Sequence, residues 1–269
     1  MVYHRRWPQW WGLKEDSDLS IIDVVNSGAI DFKLAGLLWL LMEHRASVLV
    51  AAGPSFAGKS TLLHALLDFL PPGIEKVTLR GYEEDFKLIG TGQPEKTYLI
   101  TEEISNHSYE YLWGRQVVKA LELIPKGYAL GGTIHARNIK EVAYVLNALG
   151  APLPLIAGIG LVITLQVRYR HSYDGEPVRY VDTVSTIDHS REGLIAHLLA
   201  TRQSVDDRFI YHTGQALHDA LISKFGIKYN EISSQIELRG RFLSQLPDKG
   251  IIARAEVRKA ILGYYQIQS

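Results

Sequence analysis

The stretch "AAGPSFAGKSTLLHAL", residues 51–66, decides the fold class. Within it, Gly53 to Ser60 spells the pattern G-x-x-x-x-G-K-S. The apolar run "SVLVAA" (47–52) precedes the glycine-rich loop, and a helical pattern rich in leucine follows it. A strand, a glycine loop and a helix in this order let backbone N–H groups and a helix N-terminus bind phosphate. The stretch therefore predicts a phosphate-binding loop.

The residue types in the loop indicate how it would bind a nucleotide. Lys59 can reach the β- and γ-phosphates, and the Ser60 hydroxyl can ligate Mg²⁺. The sequence thus predicts ATP and Mg²⁺ as ligands, although a chance match in a glycine-rich turn is the alternative reading. The predicted nucleotide-binding residues are those of the loop and of the first helical turn: Gly53, Pro54, Ser55, Phe56, Ala57, Gly58, Lys59, Ser60 and Thr61.

Segments of strand and helix character alternate on both sides of this loop. Strands are predicted at 47–53, 76–81, 96–103, 128–135 and 161–169, and helices at 59–70, 109–125 and 138–149. This alternation is typical of a parallel sheet covered on both faces. The fold class predicted is therefore α/β, a RecA-like P-loop NTPase with a mainly parallel sheet. Residues 178–188 are predicted to form a hairpin with the preceding strand.

The two ends of the chain differ from this core in their residue patterns. Residues 1–17 are predicted to be an aromatic arm, and Ser20 with Asp23 signals a helix start. A second, core-facing helix follows Asp31. After Ser190 only helical patterns are evident, so the predicted organisation is a P-loop core over 18–190 and a small all-α C-terminal domain over 191–269.

Two strand ends carry side chains suited to phosphate chemistry. "YLITEEIS" (98–105) ends in Glu102 and Glu103, of which one can hold Mg²⁺ and the other orient a water. "GGTIHARN" (131–138) places His135 where it can sense a γ-phosphate. The alternatives are solvated carboxylates and an ordinary polar strand end. The acids of "RGYEEDF" (80–86) could add a carboxylate or form a solvated loop, and the spacing of His107 indicates no metal site.

Composition excludes several classes of protein. Lys plus Arg and Asp plus Glu both number 29, so no net positive field indicates a nucleic-acid partner. The absence of cysteine excludes disulfides and thiolate metal sites. The N-terminal residues lack the apolar core of a signal peptide, and neither apolar stretch (34–42 or 150–167) is predicted to span a membrane.

Together these motifs resemble one family, the motor ATPases of type II and type IV secretion and pilus systems, including archaellum motors. The resemblance covers roughly residues 18–190 and extends to the tail "ELRGRFLSQLPDKGIIARAEVRKAILGYY". "LITEEIS" is similar to the end of the family's Walker B segment, which implies that Glu103 is the catalytic glutamate. "GYALGGTIHARN" resembles the histidine box, which implies His135. The catalytic set implied is thus Lys59, Glu103 and His135, with Ser60 and Glu102 on Mg²⁺.

The resemblance also implies partners and a location. Members assemble as hexameric rings at the cytoplasmic face of a membrane machine, which implies a homo-oligomer, a membrane-embedded platform protein as partner and a cytoplasmic, peripheral location. The chain departs from the family pattern at Arg80-Gly81, where an acidic element is usual, and at Ser105-Asn106. A non-hydrolysing nucleotide-binding module and a small-molecule P-loop kinase therefore remain alternative functions.

Overall fold

The computed structural model describes residues 18–87, 92–169, 177–191, 193–203, 207–227 and 229–268. The predicted arm, residues 1–17, lies outside the described residues. The strand elements are β1 (Val48–Ala52), β2 (Glu75–Thr78), β3 (Thr97–Ile104), β4 (Ala129–His135), β5 (Leu161–Tyr169), β6 (Pro177–Ser190), β7 (Gly193–Arg202) and β8 (Phe209–Tyr211). The helices are α1 (Ile21–Asn26), α2 (Phe32–Glu43), α3 (Lys59–Leu67), α4 (Arg115–Leu121), α5 (Ile139–Ala148), α6 (Leu153–Ala157), α7 (Gln215–Phe225), α8 (Tyr229–Ser244) and α9 (Arg254–Gln268).

One eight-stranded sheet organises the described chain, in the order β2-β3-β4-β1-β5-β6-β7-β8. The pairs β2–β3, β3–β4, β4–β1 and β1–β5 are parallel. The pairs from β5 to β8 are antiparallel, and β5–β6 is the hairpin that the sequence predicts. The sheet therefore has a parallel half, in which β1 lies between β4 and β5, and an antiparallel extension.

Both faces of β1 are buried, which shows why its sequence is apolar without alternation. Val48 and Val50 belong to a hydrophobic core on one face, together with residues of α2, α3 and the C-terminal helices. Leu49 and Ala51 belong to a second core on the other face, with residues of α4 and α5. The predicted α/β arrangement, with helices on both faces of the sheet, is confirmed.

The prediction of helix alone after Ser190 is wrong for residues 193–202 and 209–211. "GLIAHLLATR" forms β7 and pairs along β6, and β8 pairs with β7. Leucine and alanine favour helix in isolation, but backbone pairing with a neighbouring strand overrides that preference. The sheet consequently continues across the boundary predicted at 190.

The three C-terminal helices share the core of the sheet. Leu221 of α7, Ile236 of α8 and Ile261 of α9 lie in the same hydrophobic cluster as Leu38 of α2 and Ile163 of β5. A separate all-α domain over 191–269 is therefore not confirmed.

Residues 34–42 of helix α2 are all buried. The helices α8 and α9 and the Phe69 side chain contact α2. Trp39 stacks on Phe69 at a centroid distance of 5.3 Å and hydrogen-bonds the Tyr265 hydroxyl at 2.8 Å. Arg239 of α8 is 2% exposed, and its Nε donates to Glu43 at 3.1 Å. This buried charge is paired, as burial of a guanidinium requires.

The two apolar stretches noted in the sequence fall inside the fold. Residues 34–42 lie in the buried helix α2, and residues 150–167 contain the short helix α6 and most of β5. Among the described residues, we find no helix with the length and apolar character needed to cross a bilayer.

We expect Gly36→Ala to lower the free energy of unfolding by about 1–3 kcal/mol, the usual cost of overpacking. A Cβ at Gly36 would lie 2.4 Å from the Ile236 carbonyl oxygen and 2.8 Å from the Gly240 nitrogen, and neither backbone atom can rotate away. Gly263→Ala in α9 is the control, because a Cβ there meets nothing within 4 Å. We expect it to stabilise by about 0.5–1 kcal/mol. Urea unfolding of both variants measures the difference, and equal stabilities would contradict the tight α2–α8 crossing.

Candidate functional site

The glycine-rich loop turns from β1 into α3. Strand β1 ends at Ala52, helix α3 begins at Lys59, and the helix N-cap Gly58 has a left-handed φ of 89°. This conformation is easy for glycine and strained for other residues. Lys59 is only 7% exposed in the first helical turn. The loop thus presents the N-terminus of a nine-residue helix, with a cationic side chain in its first turn, to whatever binds there.

Phe56, in the middle of the loop, is held in place by another strand. Its φ is 59°, which is rare for a residue with a large side chain, and the side chain is 76% exposed. The Arg179 Nε on β6 donates a hydrogen bond to the Phe56 carbonyl oxygen at 2.6 Å. The antiparallel extension of the sheet therefore fixes the shape of the loop.

A bulge at the end of β3 brings two consecutive glutamates to one side. The β3–β4 register shifts between Thr101 and Ile104, and the Thr133 hydroxyl donates to the Glu102 carbonyl oxygen at 2.6 Å. In a regular strand, neighbouring side chains point to opposite faces. Here the irregularity lets both Glu102 and Glu103 line the same cavity.

His135 lies between the glycine-rich loop and Glu103. It is the last residue of β4, and it pairs with Ala52 immediately before the loop. Its Nδ1 lies 3.3 Å from the Gly53 carbonyl oxygen, and its Nε2 lies 3.1 Å from Glu103 Oε1. The Nε2–Oε1 distance suits an ion pair, but Oε1 makes no hydrogen bond among the described residues. The parallel register of β1 and β4 therefore places this histidine between the loop and the carboxylate.

A cavity of about 1020 Å³ contains most of the predicted site residues. The structure brings together Ser55, Phe56, Ala57, Gly58, Lys59, Ser60, Thr61, Glu102, Glu103 and His135 along its wall. Gly53 and Pro54 begin the loop at the end of β1. The volume suits a ligand of nucleotide size.

Two of the three acids at residues 83–85, Glu84 and Asp85, are bound locally. The Glu84 carboxylate accepts from the Arg80 and Phe86 backbone nitrogens at 2.9 and 2.6 Å, and it is 7% exposed. Asp85 pairs with the Arg80 guanidinium at 2.6 Å. Both carboxylates are therefore engaged within their own turn, in which Glu84 is buried and not solvated.

The sequence analysis did not predict three further residues that line the cavity, namely His107, Tyr111 and Arg179. Arg179 lies in the middle of a strand, where nothing marks it as a loop contact. His107 and Tyr111 follow β3 in an irregular segment, so no periodicity predicts their direction. Burial, and then the charges of Glu103 and Glu102, raise the pKa of Tyr111. The two carboxylates place negative charge at this end of the cavity.

The donor set is consistent with a magnesium-bound phosphate ligand. Ser60 offers a hydroxyl and Glu102 a carboxylate that is 45% exposed, and both line the cavity. Oxygen donors of this kind, together with phosphate oxygens, are what Mg²⁺ prefers. The cavity can therefore accommodate an anion at the loop and a divalent cation beside it.

Two proteins of Methanocaldococcus jannaschii are similar in sequence. The uncharacterized protein MJ1287 is 29% identical over 247 residues, which cover 83% of this chain and 90% of that protein. The uncharacterized protein MJ0900 is 21% identical over 285 residues, which cover 93% of this chain. This chain spans only 50% of MJ0900. No protein-family model matches the chain.

Solved structures with partial similarity include secretion-system ATPases. The VirB11 ATPase of the Brucella suis type IV secretion system, in complex with sulphate, has a TM-score of 0.40 and 16% identity. The match covers 61% of this chain and 54% of that one. The ATPase DotB gives TM-scores of 0.38 for Yersinia pseudotuberculosis and 0.37 for Legionella pneumophila, both at 13% identity and 84% of this chain. This chain spans 60% and 63% of those two chains.

We expect Gly58→Ala to destabilise the protein by about 1–2 kcal/mol, the cost of a left-handed alanine. Contacts contribute little there, because the new Cβ would lie 3.6 Å from Arg179 Cδ. Gly53→Ala is the comparison within the same loop. The three atoms nearest to its Cβ would be side-chain carbons of Arg137, with Cγ at 2.5 Å, and displacing this 74% exposed side chain costs no more than its surface ion pair with Glu141. Urea unfolding checks the order, and a larger loss in Gly53→Ala than in Gly58→Ala would contradict it.

Proposed function

We propose that this chain binds MgATP at the Gly53–Thr61 loop and hydrolyses it as a ring-forming motor of the secretion or type IV pilus kind. One observation carries the proposal: His135 lies between the Gly53 carbonyl oxygen and Glu103, at 3.3 and 3.1 Å. A carboxylate next to a phosphate loop can act on water, whereas one on the opposite edge of the sheet could not. The order of the motifs and the shared cavity support the same conclusion.

The chain's residues have distinct roles in this proposal. Lys59 and the N–H groups at the start of α3 bind the phosphates, and Ser60 and Glu102 hold Mg²⁺. The bound ion would neutralise charge on the phosphate oxygens. Glu103 orients the attacking water and accepts its proton. His135, held by the contact of Nδ1 with Gly53, would donate from a protonated Nε2 to the γ-phosphate, a role that requires protons on both ring nitrogens. Positioning and charge neutralisation supply most of the rate acceleration.

A slowly hydrolysing nucleotide-binding module is the second candidate, and the geometry of residues 80–85 favours it. Glu84 is occupied by the Arg80 and Phe86 backbone nitrogens, and Asp85 by the Arg80 guanidinium. These carboxylates are thus unavailable to assist at the phosphates. Binding of ATP with turnover that does not depend on Glu103 would support this second candidate.

We expect Glu103→Gln to reduce steady-state ATP hydrolysis by on the order of 10²-fold, because the variant cannot accept a proton from water. It should still bind a non-hydrolysable ATP analogue, whereas Lys59→Ala should lose that binding. Glu122→Gln is the matched control, since Glu122 is an exposed C-cap of α4. Phosphate release and equilibrium binding of the analogue are the two measurements. Hydrolysis that is equal in Glu103→Gln and the control would contradict the motor.

For the oligomer, we expect the mass in solution to rise toward six times that of one chain when the non-hydrolysable analogue is added. Nucleotide-linked assembly is the behaviour that a ring motor needs and a small-molecule kinase does not. Light scattering coupled to size exclusion measures the mass, and Lys59→Ala provides the matched chain with impaired nucleotide binding. A monomeric mass at saturating analogue would contradict the ring.

A further inference from the structure

Three potential metal ligands converge beside the phosphate loop. Glu103 comes from the end of β3, His107 from the segment after β3, and His135 from the end of β4. One ligand atom of each lies within 4.8 Å of the other two. His107 has no part in the function proposed above, and its spacing in the sequence gives no sign of a metal site. It is the fold that brings these three side chains together.

The hydrogen bond between His135 and Gly53 indicates which ring nitrogen of His135 is free to bind an ion. The Gly53 carbonyl oxygen can only accept, so a hydrogen bond to it requires the proton on Nδ1. In the neutral imidazole, Nε2 then presents a lone pair to Glu103 Oε1, 3.1 Å away. Oε1 is buried and makes no hydrogen bond among the described residues. Nε2 and the buried Oε1 lie 3.1 Å apart and make no hydrogen bond with each other, so either a metal ion or a proton can join them.

The remaining geometry favours a metal ion over a proton. A histidine that binds a metal through Nε2 commonly donates its other N–H to a backbone carbonyl, as His135 does to Gly53. The His107 ring lies 5.9 Å from that of His135, centroid to centroid. Ligands of a tetrahedral ion are about 3.4 Å apart, given bonds of about 2.1 Å. The ligand atoms of the three side chains lie within 4.8 Å of one another, and because His107 is exposed, rotation of its side chain can bring its nitrogen to the shorter separation.

The ligand types select the kind of ion. Mg²⁺ and Ca²⁺ take oxygen ligands, whereas imidazole nitrogen suits zinc and its neighbours in the first transition series. Two imidazoles and one carboxylate leave at least one position open toward the cavity. We propose that Glu103, His107 and His135 form a binding site for a divalent transition-metal ion of the Zn²⁺ or Co²⁺ type, separate from the Mg²⁺ held by Ser60 and Glu102.

The site requires no nucleotide, but it has a consequence that rests on the proposed function. An ion held by Glu103 and His135 occupies the carboxylate that would orient water. Zn²⁺ should therefore inhibit hydrolysis of MgATP, and a chelator should restore it. Because His107 belongs to the metal site and has no role in hydrolysis, His107→Ala should make hydrolysis less sensitive to Zn²⁺.

The direct test is titration of the metal-free chain with Co²⁺, followed by the visible absorption of the bound ion. We expect one site per chain, displaced by Zn²⁺, with an affinity at least about tenfold lower in His107→Ala. His197→Ala is the matched control, because His197 lies on β7 outside the cluster. Circular dichroism verifies that each variant is folded. Equal Co²⁺ affinities in the unmodified chain, in His107→Ala and in His197→Ala would overturn the proposal. A proton would then be the link between His135 Nε2 and Glu103 Oε1.

Binding of a fluorescent ATP analogue with Mg²⁺, measured in the same preparations, separates the two proposals. Co²⁺ binding without nucleotide binding would overturn the proposed function and retain the metal site. Nucleotide binding and Glu103-dependent hydrolysis without specific Co²⁺ binding would overturn the metal site alone.

Discussion

The parallel pairing of β3, β4 and β1 is the constraint on which the rest of the structure depends. Since these strands run in one direction, their carboxyl ends meet at one edge of the sheet. The glycine-rich loop follows β1, the two glutamates lie at the end of β3, and His135 ends β4. Residues separated by more than 40 positions in the chain are thereby brought within hydrogen-bond distance, as the contact of His135 with Gly53 shows.

Departures from regular backbone geometry, together with the parallel strands, shape the candidate site. The register shift in β3 directs two adjacent carboxylates to the same cavity, which an ideal strand cannot do. The left-handed Gly58 and Phe56 shape the loop between strand and helix. Such strain is held by surrounding contacts, here the Arg179 bond to Phe56. The cavity is therefore a product of the irregular residues as much as of the sheet.

The sequence predicts the parallel half of this protein well, because each strand there is a short apolar run bounded by turn residues. The loop is predicted from its G-x-x-x-x-G-K-S pattern, and Glu102, Glu103 and His135 are candidates because they stand at strand ends. Strand β7 is missed because its leucines and alanines favour helix locally, and only pairing with β6 makes it extended. Arg179 and His107 are missed because their roles arise from contacts across the chain. Neither the bulge in β3 nor the tautomer of His135 can be predicted from the order of residues in the sequence.

The hydrogen bond from Arg179 to Phe56 has a mechanical consequence. It ties the tip of the loop to β6, and β6 continues through β7 to the edge strand β8. One side-chain hydrogen bond and the ladders of β6, β7 and β8 therefore form a continuous connection from the loop to the far edge of the sheet.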